Sequence, residues 1–161
     1  MGESQKTEKR MKLDEDFDEI SKHTHYWNWY ADWHICQDIY KAYPDSYSVL
    51  TPFAYAYLEE LIRSTTSEYG IELYDESENP KKRKVGMKLV NLAIEENKNT
   101  NPEYVAALGD IKRYFQASQK SDRGENRNSV VHGYMHSRYW NRESFEKLVH
   151  DIALISKYAG F

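Results

Sequence analysis

Ten consecutive residues, Glu125-Asn126-Arg127-Asn128-Ser129-Val130-Val131-His132-Gly133-Tyr134, bring together an arginine, two side-chain amides, a histidine and a tyrosine, with only Val130 and Val131 as apolar company. A helix turn made for packing alone has no use for that polarity. The residue types suit scission of a phosphodiester in RNA without a metal. That reaction needs a base for the 2′-hydroxyl proton, an acid for the departing 5′-oxygen, and a cation to steady the crowded anionic phosphorane. Histidine titrates near neutral pH and serves as base or acid. Arginine stays charged and forks onto phosphate oxygens. Arg127, Asn128 and His132 are therefore the candidate catalytic set, with Asn128 as an extra hydrogen-bond donor, and the expected product is a 2′,3′-cyclic phosphate.

The spacing constrains how they can meet. On a straight helix a step of five residues turns about 140°, so Arg127 and His132 would not share a face, whereas Asn128 and His132 would, as would Arg127 and Tyr134. Either Arg127 lies at a frayed helix start and bends toward His132, or two copies of the motif meet across a twofold axis. His136, four residues after His132, is an auxiliary candidate: the pair has a spacing that can hold a metal or add a phosphate contact. No metal site is assigned, because few carboxylates lie nearby in sequence, and no cofactor is implied. Between Asp110 and Arg142 there are seven basic and three acidic residues, a local positive surplus in a chain of net charge −4. Arg123, Arg138 and Lys120 are the candidate RNA contacts within it.

Arg127-x4-His132, with Asn128 directly after the arginine, Gly133 directly after the histidine and Tyr134 beyond it, resembles the signature of the HEPN superfamily. The resemblance covers about these ten residues and their helical context. It implies a small all-α domain and a metal-independent ribonuclease of toxin–antitoxin or antiphage-defence type. It implies a homodimer whose interface forms the active site, so that a second histidine separates the acid and base roles. In relatives paired with a nucleotidyltransferase antitoxin, the tyrosine matching Tyr134 is adenylylated, which blocks the nuclease. Read from the residues alone, Tyr134 is one of fourteen tyrosines and packs.

The elements that must position the motif read as helices. Residues 1–12 are polar and aperiodic and are expected to form a flexible tail, leaving 13–161 as one domain. From Asp14 an acidic start leads into a long helix carrying Tyr26, Trp29, Tyr30, Trp33 and Tyr40 on one stripe, with Trp27 off it; Tyr43-Pro44 stops it. Thr51 and Pro52 open a second helix as N-cap and first residue, which Gly70 ends. Ile71–Lys81 is a polar loop. Val85, Leu89, Leu92 and Ala93 mark a third helix, and Pro102 restarts a fourth through Tyr104, Leu108, Ile111 and Phe115. Asp122 and Glu125 have capping-box form, which would start a helix before the motif. Asn141 caps a last helix with the stripe Phe145, Leu148, Val149, Ile152, Ile155 and Tyr158. No strand-like alternation of useful length occurs. The fold class is therefore all-α, a bundle of four to six helices, and the resemblance implies that the bundle is HEPN-like.

Composition bounds the rest. The chain has 161 residues, 40% hydrophobic and 30% charged, which suits one soluble domain with a real core. Aromatics at 14% favour amphipathic contact surfaces, subunit interfaces among them. Cys36 is the one cysteine and has no internal partner. The first residues mix charge signs and lack the apolar core of a signal peptide, and no run approaches membrane-spanning length, so the expected compartment is the cytoplasm. His23, His25 and His34 read as surface histidines more readily than as a metal site. Pro80-Lys81-Lys82-Arg83-Lys84-Val85 has the form of an import signal, but four cations where a helix begins oppose its dipole and suggest an exposed, solvated turn or a phosphate contact. Two functions compete: an RNA endonuclease, and a non-catalytic HEPN-like module that binds nucleotide or RNA, or dimerises, within a defence complex. A structural bundle in which Arg127 and His132 only tie helix ends is the third reading.

Overall fold

A computed structural model describes residues 2–161. Seven α-helices are present among them: α1 Glu3–His23, α2 Tyr30–Ala42, α3 Tyr47–Ser64, α4 Gly86–Asn97, α5 Pro102–Ile111, α6 Arg127–Val131 and α7 Arg142–Ser156. No strand occurs among the described residues; one isolated antiparallel bridge joins Tyr74 to Pro80. The fold is all-α, as expected, but the described residues form seven α-helices rather than four to six, because the long first helix is split in two; no described helix is long and apolar enough to cross a membrane. α1 lies along α7 and α2, α3 is sandwiched by α7 and α4, and α5 closes against α4. One apolar cluster runs through all of these, from Phe17 and Trp33 through Tyr55, Leu58 and Leu61 to Leu148 and Ile152.

Four boundaries differ from the sequence reading. The stretch expected as a tail is helical from Glu3, while Met1 lies outside the described residues. Its side chains stay exposed, but Glu, Gln, Lys, Arg and Met all favour helix, and Lys9 reaches Glu146 of α7 at 3.1 Å. The long first helix is instead two, because Trp29 adopts a left-handed φ of 66° and turns the chain. That turn sets Trp29 and Trp33 edge-on to Tyr57, with centroids 5.3 and 5.0 Å away. The expected single stripe is therefore split: Trp33 and Tyr40 are buried, but Tyr26 and Tyr30 are exposed, as is Trp27.

The second expected helix starts four residues earlier than its proposed cap. A 3₁₀ turn at Pro44–Ser46 launches α3 at Tyr47, and Thr51 uses its hydroxyl on the Tyr47 carbonyl at 2.6 Å. It ends before Gly70 because the hydroxyls of Ser64, Thr65 and Thr66 take the carbonyls of Leu61, Ile62 and Arg63, the local competition that these side chains offer a helix. The last helix follows its stripe. Asn141 accepts from the Ser144 N–H at 2.8 Å, and Phe145, Leu148, Val149, Ile152 and Ile155 are all buried. Tyr158 lies just past the helix end, its ring 4.7 Å from Tyr104.

Candidate functional site

The motif is a single turn of helix, fastened at both ends. Asn126, not Asp122, is its N-cap: the Asn126 Oδ1 accepts from the Ser129 N–H at 2.8 Å, and its Nδ2 donates to the Gln116 carbonyl at 2.9 Å. Asp122 closes its own turn by accepting from the Gln119 N–H at 2.6 Å, and Glu125 accepts from the Arg123 N–H, so the expected capping box does not form. At the other end Gly133 takes a left-handed φ of 66° and the Tyr134 N–H returns to the Ser129 carbonyl at 3.1 Å. This is a Schellman closure, which needs a residue free of the Cβ penalty at that position. The helix thus stops at Val131, and His132 is its C-cap.

Ending there changes which side chains share a face. Neither Arg127 with Tyr134 nor His132 with His136 is paired along a helix, because residues 133–136 leave it. Arg127 is nearly buried and already engaged: its Nε and Nη2 donate to one oxygen of Glu59 at 3.1 and 2.8 Å, and its Nη1 donates to Asn128 Oδ1 at 3.2 Å. Asn128 directs its amide hydrogens at the carbonyls of Gln116 (3.0 Å) and Phe115 (3.4 Å). The donor role expected for Asn128 is therefore occupied by the fold; it ties α6 to the turn that follows α5. His132 is exposed, and neither of its ring nitrogens makes a hydrogen bond among the described residues; its ring centroid lies 5.9 Å from that of Tyr134, itself 69% exposed.

The auxiliary residues are on the surface beyond it. His136 uses Nδ1 to accept from the Arg138 N–H at 3.2 Å, which starts a 3₁₀ turn at Ser137–Tyr139. Arg138 stacks over the ring of Tyr139 at 4.7 Å and donates to its hydroxyl. Arg123 folds back to the carbonyls of Lys120 and Asp122, at 3.1 and 2.9 Å, leaving the Lys120 side chain exposed. Among the described residues no cluster of three or more His, Cys, Asp or Glu side chains could hold a metal ion.

The sequence reading missed Glu59. It sits four residues after Tyr55 and three before Ile62, both fully buried, so its carboxylate emerges along the apolar stripe of α3. An acid at such a position needs a partner, and that was its signal. One oxygen holds Arg127; the other accepts from the Gly86 N–H at 2.6 Å, the first residue of α4. A second network was also missed: Asp151 of α7, buried, accepts from both Arg113 and the Tyr114 hydroxyl. Burial, with Asp151 beside it, pushes the Tyr114 hydroxyl pKa well up. Arg113 and Tyr114 line a cleft of about 530 Å³ together with Gln116, Asn126, Asn141 and Lys147. The cleft meets the motif at Glu125 and Asn126 but contains neither Arg127 nor His132.

Fold and site together define an all-helical domain presenting an exposed histidine turn on a nearly buried, ion-paired base. Comparison of the chain with family models, characterised proteins and solved structures finds no match.

Proposed function

We propose that the chain is a metal-independent RNA endonuclease of toxin–antitoxin or antiphage-defence type, working as a homodimer in the cytoplasm. One observation carries this reading: the motif divides its labour. Asn126, Arg127, Asn128 and Val130 are all used by the fold, whereas His132 caps a closed turn, is exposed, and engages neither of its ring nitrogens in a hydrogen bond among the described residues. A histidine kept for structure would use them. His132 then moves the proton. Arg127, steadied by Glu59, offers its remaining N–H edge to a phosphate oxygen. One copy supplies one such histidine, so a second copy of the chain furnishes the complementary acid or base. Tyr134, exposed beside it, is the accessible hydroxyl that a nucleotidyltransferase antitoxin would modify.

The test is incubation of RNA with purified protein in chelator. His132→Ala is expected to lose cleavage by about 10²–10⁴-fold, the usual share of a general acid or base. Because His132 is exposed, its stability should stay within about 0.5 kcal/mol of the parent. Intact RNA with the parent protein, or undiminished cleavage by His132→Ala, sinks the nuclease reading.

A second reading has its own observation. The Arg127 charge is already neutralised by Glu59, which suits a non-catalytic HEPN-like module that binds nucleotide or RNA, or dimerises, in a defence complex. It predicts ligand-dependent stabilisation without turnover.

A further inference from the structure

Residues 81–88 contain five cations, Lys81, Lys82, Arg83, Lys84 and Lys88, and no acid. All five are exposed, and among the described residues only Lys84 has a carboxylate within ion-pair distance, Glu68 at 3.9 Å. Like charges packed this closely repel and would be expected to disperse in a mobile loop. The fold instead holds their backbone at successive points. The Lys81 N–H donates to the Leu73 carbonyl at 2.8 Å, and the Lys84 N–H to both oxygens of Glu68 at 3.1 Å. The Lys84 carbonyl accepts from Arg63, a 4%-exposed guanidinium, at 2.8 Å. The Gly86 N–H then lands on Glu59. Val85 is extended, with φ −135° and ψ 161°.

The last anchor matters most. Glu59 holds Gly86 with one oxygen and Arg127 with the other. The basic run and the motif arginine are thus fastened to the two oxygens of one carboxylate, although Gly86 and Arg127 lie 41 positions apart in sequence. We propose that Lys81, Lys82, Arg83 and Lys88 form a phosphate-binding ridge that guides single-stranded RNA to the His132 turn. This deepens the RNA reading above and rests on it. The ridge supplies the anion attraction that a chain of net charge −4 lacks as a whole, and such contacts position a strand without reading its sequence.

The experiment compares the full chain with its Lys81→Gln/Lys82→Gln/Arg83→Gln variant. The probe is a short 2′-O-methylated single-stranded RNA, which lacks the attacking hydroxyl, followed by fluorescence anisotropy across a salt series. The variant should melt like the parent, bind on the order of tenfold more weakly at low salt, and lose about 2 from the log–log salt slope, given roughly 0.7 per lost single-strand phosphate contact. Unchanged affinity and slope overturn the ridge; if the parent still cuts unmodified RNA, the nuclease reading survives alone. A parent that binds RNA through the ridge but never cuts it keeps the ridge and loses the nuclease. A parent that neither binds nor cuts overturns both. A variant that binds RNA normally but no longer binds anionic vesicles or an acidic peptide overturns the ridge in favour of that partner.

Discussion

Replacing Arg127 by methionine is expected to cost about 3–5 kcal/mol of folding stability, because it strands a carboxylate that is nearly buried. Side-chain exposures of 12% for Arg127 and 13% for Glu59 place the pair out of bulk water, where the loss of one partner leaves the other without compensation. A double substitution separates this cause from simple loss of packing. Glu59→Gln removes the charge but keeps an oxygen for the Gly86 N–H. Arg127→Met with Glu59→Gln should therefore be more stable than Arg127→Met alone, with an interaction energy of about 0.5–3 kcal/mol between the positions. Denaturant midpoints at constant slope measure it. Strictly additive single effects would mean that the two side chains do not depend on each other. The same result bears on function: loss of RNA cleavage in Arg127→Ala reports unfolding as readily as chemistry, so exposed His132 is the informative position.

The parts of this molecule that are legible in sequence are those decided locally. α7 follows its stripe and its Asn141 cap, and α5 begins at Asn101-Pro102, with Asn101 accepting from the Tyr104 N–H. Where a distant partner decides, local pattern fails. The apolar periodicity from Tyr26 to Tyr40 is compatible with one helix; only packing against Phe53 and Tyr57 of α3 requires Trp29 to reverse the chain. At the motif two capping residues compete within five positions. Asn126 prevails over Asp122 because its amide both caps Ser129 and spans to Gln116, a contact fixed by the turn after α5. Gly133 was visible as a motif residue, yet its physical role is to stop the helix. That stop leaves His132 at an end rather than on a face, so the 140° estimate, made for a continuous helix of about 3.6 residues per turn, does not apply. The Arg127–Glu59 pair spans 68 residues, and no local spacing rule reaches that far. The acid on an apolar stripe did announce that some partner exists.

Alkaline pH should unfold the protein in one cooperative step between about pH 10 and 12, and tyrosine is the reason. Tyr40, Tyr55, Tyr57, Tyr104 and Tyr114 are all buried. Burial raises the pKa of each hydroxyl, that of Tyr104 to about 12, and it pushes the Cys36 thiol up to about 12 as well. In the unfolded chain these tyrosines ionise near about 10. Below that pH both states are neutral at these groups and the folded state keeps its full stability. Above it the unfolded chain releases protons that the folded chain retains, so stability falls until the folded pKa values are passed. Each unit of pH in that window withdraws up to about 1.4 kcal/mol per buried tyrosine. Five together reach about 10 kcal/mol in a unit and a half, comparable with the roughly 5–15 kcal/mol that holds a domain folded. Tyrosinate absorbance and helical circular dichroism, followed together through the titration, should show the exposed tyrosines ionising first with helix intact, and the buried ones only with helix loss. Tyr57 offers a sharper check. Its hydroxyl is buried without a hydrogen-bond partner among the described residues, so Tyr57→Phe should cost little at neutral pH and move the alkaline midpoint upward. A gradual loss of helix starting well below pH 10, or a midpoint indifferent to Tyr57→Phe, would mean that other groups drive the transition.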